Sequence, residues 1–323
     1  MSKKKSFGKI NGREAVVVGI IIAMIALFSI LSPTFRTYTT FTSVLDMSYY
    51  IALMAIGVTF PLITGGVDLS IGTGLICYSL FGGYLVVHKD VPVIVALLAC
   101  LILSILIGLL NGVLVAFMDL PPFLATLCTC MITRGLGSLL SGGFGVSWPS
   151  SLEAEGWFRK IVRITVDGQN IPVGIIVVVI LVLLMNFVLN HTKIGRYTIA
   201  IGSNKEATKL AGVNVKFYHV FAYVISGFFA GLAAIAYSGT YVTIYPGSGA
   251  GFELDAIGGA IVGGVSATGG VGSITGAFLG VLVITLMKVG LPFVGLQANW
   301  QQIFTGLVLI AAVLVDVVKK KKN

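Results

Sequence analysis

The chain has 323 residues, 57% hydrophobic and 10% charged, with a mean hydropathy of +1.02. Soluble domains carry about 25% charged residues, so this composition excludes a soluble enzyme and describes a polytopic helical membrane protein. The net charge of +9 does not point to nucleic acid: the bases bunch at both ends and in one central segment, with no aromatic interleaving, which is orientation and head-group charge.

Residues 14–31 are apolar and follow a basic start (Lys3, Lys4, Lys5, Lys9, Arg13). They are long enough to span and lack a small-residue cleavage site, so they read as an uncleaved first span leading outward. Pro33 to Ser43 is an external turn. Val44 to Thr64 forms a second span, with Asp46 at its edge and Pro61 a kink site. Next comes Gly65-Gly66-Val67-Asp68-Leu69-Ser70-Ile71-Gly72. The glycines break the helix. A charge at mid-helix costs about 2.5–3.5 kcal/mol on insertion scales, so Asp68 must face protein, water or a helix end. Asp68 or Ser70 can cap the next helix, which runs to Val87; contact with a substrate hydroxyl is the other role open to Asp68.

Val93 to Met118 is a fourth span carrying the small polar pair Asn111-Gly112. Pro121 and Pro122 open the fifth, where their missing donors are tolerated. Arg134 within it is either a buried polar contact or a snorkelling side chain. Ser141 to Asn170 is a loop of mixed charge, read as external, with Trp148 and Trp157 as interface anchors. Pro172 to Leu189 returns the chain.

Residues 191–217 hold six positive-capable side chains (His191, Lys193, Arg196, Lys205, Lys209, Lys216) and one acid, Glu206. Such a loop belongs on the cytoplasmic side. Ser203 with Glu206 reads as a capping box. Ala207, Leu210, Ala211 and Asn214 then share one face, and Gly212 ends the helix in a left-handed cap. The result is a short, stiff helix displayed for a partner to grip.

Val220 to Thr240 spans again, and Tyr241 to Phe252 is external. Residues 253–290 are too glycine-dense in their first part, with Gly263, Gly264, Gly269 and Gly270, for one continuous helix. Short helical pieces with a bend are expected there, sheltered by protein or a cavity. Placing both termini and the central loop on one side requires ten crossings, with the last turn between Lys288 and Ala298. Gly65-Gly66-Val67-Asp68 and Gly263-Gly264-Val265-Ser266 form a weak internal repeat of the kind that sets broken helices in transporters.

Cys77, Cys100, Cys128 and Cys130 sit in apolar runs as small hydrophobes, implying neither disulfides nor a metal site. There is no Gly-x-x-x-x-Gly-Lys-Ser/Thr loop, no His-Glu-x-x-His and no nucleophile elbow. The chain is therefore read as a transporter part and not as an enzyme. Paired intramembrane acids are also lacking, which weakens a proton-coupled carrier. A neutral polyol would need hydrogen-bonding groups and an aromatic; Asp68, Ser70, Asn111, Thr126 and Tyr241 are the pathway candidates.

Four strings resemble the permeases of ribose/galactose/xylose-type ABC sugar importers. They are the 65–72 octapeptide, Pro122-Phe-Leu-Ala-Thr-Leu127, Glu253-Leu-Asp-Ala-Ile257 with the following glycine pairs, and residues 194–215. Within the last, Glu206-Ala207 with Gly212 six positions on resembles the cytoplasmic loop that docks on an ATPase subunit. Thr208 replaces its second alanine, and the later Ile-x-Leu-Pro is absent, which argues against the maltose-type branch. The resemblance implies an all-α fold of about ten transmembrane helices in one domain (1–323), carrying a monosaccharide across a bacterial inner membrane. It implies no cofactor in this chain, with ATP and Mg bound by a partner ATPase. It also implies a periplasmic or lipid-anchored binding protein and a second copy or paralogue of the permease. Ser203, Glu206, Ala207, Leu210 and Gly212 would be the coupling residues. A branched-chain amino-acid-type permease, or an energy-independent channel or carrier, stays open.

Overall fold

The computed structural model describes residues 12–297 and 299–322. The expected basic cluster at Lys3 to Lys9 and the turn residue Ala298 lie outside the described residues.

Among the described residues twelve α-helices carry the fold: α1 Gly12–Leu31, α2 Tyr38–Ile63, α3 Ser70–Lys89, α4 Val93–Ala116, α5 Pro122–Leu140, α6 Gly174–His191, α7 Lys193–Ser203, α8 Lys205–Leu210, α9 Val215–Thr240, α10 Phe252–Val262, α11 Ile274–Phe293 and α12 Asn299–Lys322. Two short antiparallel pairs complete it: β1 (Val146–Ser147) with β4 (Thr243–Ile244), and β2 (Ile164–Val166) with β3 (Gln169–Ile171). Among the described residues nine helices are long and apolar enough to cross a membrane: α1 to α6, α9, α11 and α12. This is an all-α polytopic membrane protein.

The expected tenth crossing takes a different form. At 11 residues, α10 is about 16 Å long, roughly half of a hydrocarbon core. A glycine turn completes the passage: Gly270 N donates to Ile63 O at 2.8 Å, so the hairpin after α10 rests on the far end of α2. Ser273 Oγ bonds Glu14 Oε1 at 2.9 Å and Ser266 Oγ bonds Asp316 Oδ2 at 2.8 Å. The starts of α1 and α11 and the last turns of α12 therefore share the end of the bundle that carries α7 and α8. At the opposite end Phe28, Phe35 and Phe293 cluster, and Tyr38 donates to Asn170 O. Among the described residues, the nine long helices and the half-helix with its turn therefore run in alternating direction. The hairpin meets the first glycine string here, Gly269 lying against Gly65.

Helices α2, α3, α9 and α11 are the buried centre, while α1 and α12 expose most of their surface. Small residues allow the centre to close. A Cβ on Gly263 would overlap the backbone of Gly276, and one on Gly276 or Gly280 would overlap Gly263 or Gly259, so α10 and α11 touch main chain to main chain. Gly264, next to Gly263, sits at φ +97°, a region costly for residues with a side chain. Trp148, expected at the interface, is 1% exposed. Its indole needs a partner when buried and donates to Ser79 O at 3.0 Å, in a slot left by Gly82 and Gly83.

Gly276→Leu should abolish the monodisperse size-exclusion peak of the purified protein. Gly306→Leu, on open surface, should leave it unchanged. An ordinary profile for Gly276→Leu would contradict the close α10–α11 approach.

Candidate functional site

Where α2 ends, residues 64–69 run without helix and α3 begins at Ser70. Asp68 governs this break. Its side chain is 0% exposed, so each oxygen must be satisfied within the protein. Oδ1 accepts from Ser70 N at 3.0 Å and Ser70 Oγ at 2.6 Å, which satisfies the first N–H of α3 although Leu69 is the capping position. Asn111 Nδ2 of α4 approaches the same oxygen at 3.4 Å and donates to Ser70 Oγ at 2.9 Å. Ser226 Oγ of α9 donates to Oδ2 at 2.7 Å. Thr129 Oγ1 of α5 extends the network to Asn111 Oδ1 at 2.7 Å. Thr126 Oγ1 bonds Pro122 O at 2.9 Å and Val67 O at 3.3 Å, and Tyr223 OH also reaches Val67 O. One carboxylate thus joins the helix break to α4, α5 and α9. Ser226 and Thr129 were not among the sequence candidates, although short hydroxyl residues inside apolar spans were the available signal.

Of the five expected pathway residues, Asp68, Ser70, Asn111 and Thr126 come together, all buried. Tyr241 lies elsewhere, 39% exposed, with its ring 4.6 Å from Tyr237 and 6.3 Å from Tyr50. Arg134 is exposed on α5. Two ion pairs escaped the sequence reading. Lys288 of α11 holds Asp255 of α10, and Arg163 holds Asp46 of α2. A buried charge left without a partner is strongly destabilising, so the Lys288–Asp255 pair fixes the half-helix to α11.

The second constellation is the α7–α8 surface. The polar segment holds two helices, not the one expected. Ser203 is the last residue of α7 and its hydroxyl bonds back to Ile199 O at 2.9 Å. The expected capping box is therefore absent, and Asn204 is the cap, its Oδ1 accepting from Ala207 N at 2.9 Å. A serine inside a helix satisfies itself on the preceding turn, which leaves the cap to its neighbour. Gly212 takes the left-handed conformation at φ +81° as expected. Glu206, Ala207, Leu210 and Gly212 are all exposed, Leu210 to 89%. Tyr197, Ala200, Asn204, Ala207, Ala211 and Val213 line an open depression beside them. At its base, Gly202 and Ser203 pack on Ile63 and Gly270, so α7 sits on the end of α2 and on the glycine hairpin.

The family model for "Branched-chain amino acid transport system / permease component" matches residues 40–313. The chain belongs to this permease family. The ribose import permease protein RbsC of Escherichia coli K12 is 34% identical, covering 98% of this chain and 97% of its own. The galactose/methyl galactoside import permease protein MglC of Haemophilus influenzae is 31% identical, covering 100% and 99%. The fructose import permease protein FrcC of Rhizobium meliloti is 31% identical, covering 93% and 84%. No solved structure matches.

In this permease the matched span contains both constellations. Asp68→Ala would strand donors from α3, α4 and α9, at about 1–3 kcal/mol per buried unsatisfied group. Its melting temperature in detergent should fall by several degrees, with Asp68→Asn intermediate. An unchanged melting temperature for Asp68→Ala would contradict the structural role of the carboxylate.

Proposed function

We propose that this chain is the transmembrane subunit of an ABC importer that moves a monosaccharide across a bacterial inner membrane, driven by a separate ATPase. The near full-length likeness to import permeases named for ribose, galactose and fructose carries this reading. The α7–α8 surface supports it: a capped helix that presents an exposed leucine suits a cleft on a partner.

The end of the bundle bearing α8 is assigned to the cytoplasm, because Lys193, Arg196, Lys205, Lys209 and Lys216 gather there. Both ends of the described chain then lie on that side. ATP and Mg2+ belong to the ATPase, for the chain has no phosphate-cradling loop. A substrate-binding protein meets the opposite end, where residues 141–171 form the largest segment outside the spans. A second copy or a paralogue completes the pathway. Asp68, Ser70, Asn111 and Thr126 hold the helix break beside that pathway. Tyr241, next to Tyr237 and Tyr50, is the member of the five open to a passing sugar ring. A second reading comes from the autoinducer 2 import system permease protein LsrC of Yersinia pseudotuberculosis, 31% identical over 95% of this chain.

Proteoliposomes holding the permease, its ATPase and the cognate binding protein, assayed with ribose, galactose, fructose, autoinducer 2 and leucine, test the assignment. ATP-dependent uptake of a monosaccharide is expected. Uptake of leucine alone, or uptake without ATP, would overturn it. Ala207→Arg and Leu210→Asp should insert normally yet lose co-purification with the ATPase. Lys205→Ala should be nearly silent, since exposed charges contribute about 0–1 kcal/mol. Normal ATPase retention by both Ala207→Arg and Leu210→Asp would remove α8 from the coupling surface.

A further inference from the structure

We propose that a crevice between α2, α6 and α9, at the end of the bundle opposite α8, binds one membrane phospholipid: an acyl chain enters the crevice and the head group sits on the Asp46–Arg163 pair. The crevice is a cavity of about 80 Å³ walled by Leu53 of α2, Val178 and Leu181 of α6, and Leu232 of α9, with Val162 above and Tyr49 at its head. Its mouth is at Ile161 and Val177, 43% and 37% exposed. It opens on the side where α6 presents Ile176, Ile180 and Leu184, which is the lipid-facing surface of the helix. From Gly174 to Leu181 the wall descends about 10 Å at 1.5 Å per residue, the depth at which the ester region of a lipid gives way to its chains.

The polar end carries the argument. Tyr49 is 1% exposed and its hydroxyl makes no hydrogen bond; the same holds for Asp46 Oδ1 and for Arg159 Nη2. Buried polar groups are ordinarily satisfied; of these three, Tyr49 lines the cavity itself, and Asp46, one turn before it on α2, is paired with Arg163, which follows the lining residue Val162. Arg159 packs its Cα on Gly239 beside Val162 and donates from Nε to Pro149 O and from Nη1 to Gly239 O. Arg163, next in sequence to Val162, keeps further guanidinium donors beyond the one given to Asp46, and Lys160 is exposed on the same turn. A phosphate answers the guanidinium donors, an ester carbonyl answers the Tyr49 hydroxyl, and a donor on the head group answers Asp46 Oδ1. The apolar wall takes a chain and excludes water. A head group with its own donor (ethanolamine or glycerol) fits this end better than choline, which has none.

The test uses the purified, delipidated chain in detergent, titrated with phosphatidylethanolamine, phosphatidylglycerol or phosphatidylcholine and read by native mass spectrometry. One tightly held lipid per chain is expected, with phosphatidylcholine several-fold weaker. Val177→Trp, which plugs the mouth from an exposed position, should lower affinity about tenfold. Leu183→Trp, the same substitution at an exposed position on the other face of the same helix, should leave it unchanged. Tyr49→Phe should weaken binding about fivefold with the fold intact by size exclusion. Absence of a retained lipid in the unaltered chain would overturn the site. Equal losses for the two tryptophan variants would mean annular lipid only and overturn it as well. An unchanged affinity in Tyr49→Phe would overturn the assigned head-group end. Sugar transport enters none of these readouts.

Discussion

A carboxylate with no exposure to solvent, in a protein whose surroundings are largely hydrocarbon, sets the terms for the centre of this molecule. Asp68 must have donors, and it collects them from α3, α4 and α9. Hydrogen bonds to a charged acceptor are shorter and roughly twice as strong as neutral ones, so satisfying this one group locates the start of α3 and the neighbouring faces of two other helices. The chain can interrupt a helix between Ile63 and Ser70 because the freed main-chain groups are met by protein: Thr126 and Tyr223 both bond Val67 O. Irregular backbone survives at membrane depth under that condition.

The second interruption uses different physics. The segment from Gly263 to Gly272 is held by backbone approach, with α10 against α11, and by main-chain contact with the end of α2. The two interruptions therefore touch, Gly270 on Ile63 and Gly269 on Gly65, and α7 packs on the same point through Gly202 and Ser203. The surface bearing α8 is thus joined by short contacts to the helix break that Asp68 organises. In an importer this gives a partner at α8 a mechanical connection to the centre of the bundle.

Much of this was legible in the residues. Long apolar runs gave the spans, an acid among glycines gave the first break, and glycine density gave the second. Parity of charge gave ten passages, of which the structure makes nine with long helices and one with a half-helix and turn. The errors share a cause. Asp255–Lys288 and Asp46–Arg163 join residues 33 and 117 positions apart, and no local pattern announces such pairs. Ser203 and Asn204 are both competent caps; the choice depended on α7, whose polar composition read as loop. Trp148 looked like an interface anchor because tryptophan often is one, yet two glycines on α3 had cleared a slot for it.

The central structural claim is that Asp68 and its donors act as one unit, and a double-mutant cycle tests it most directly. Asp68→Asn, Ser226→Ala and the double variant would be compared with the unaltered chain by unfolding free energy in detergent. Groups in one network show interaction energies of about 0.5–3 kcal/mol, whereas independent sites add within about 0.5 kcal/mol. The account predicts that the double variant loses less than the sum of the two single losses by at least about 1 kcal/mol. Simple additivity would mean that the carboxylate and the Ser226 hydroxyl stabilise the protein independently, and would contradict it.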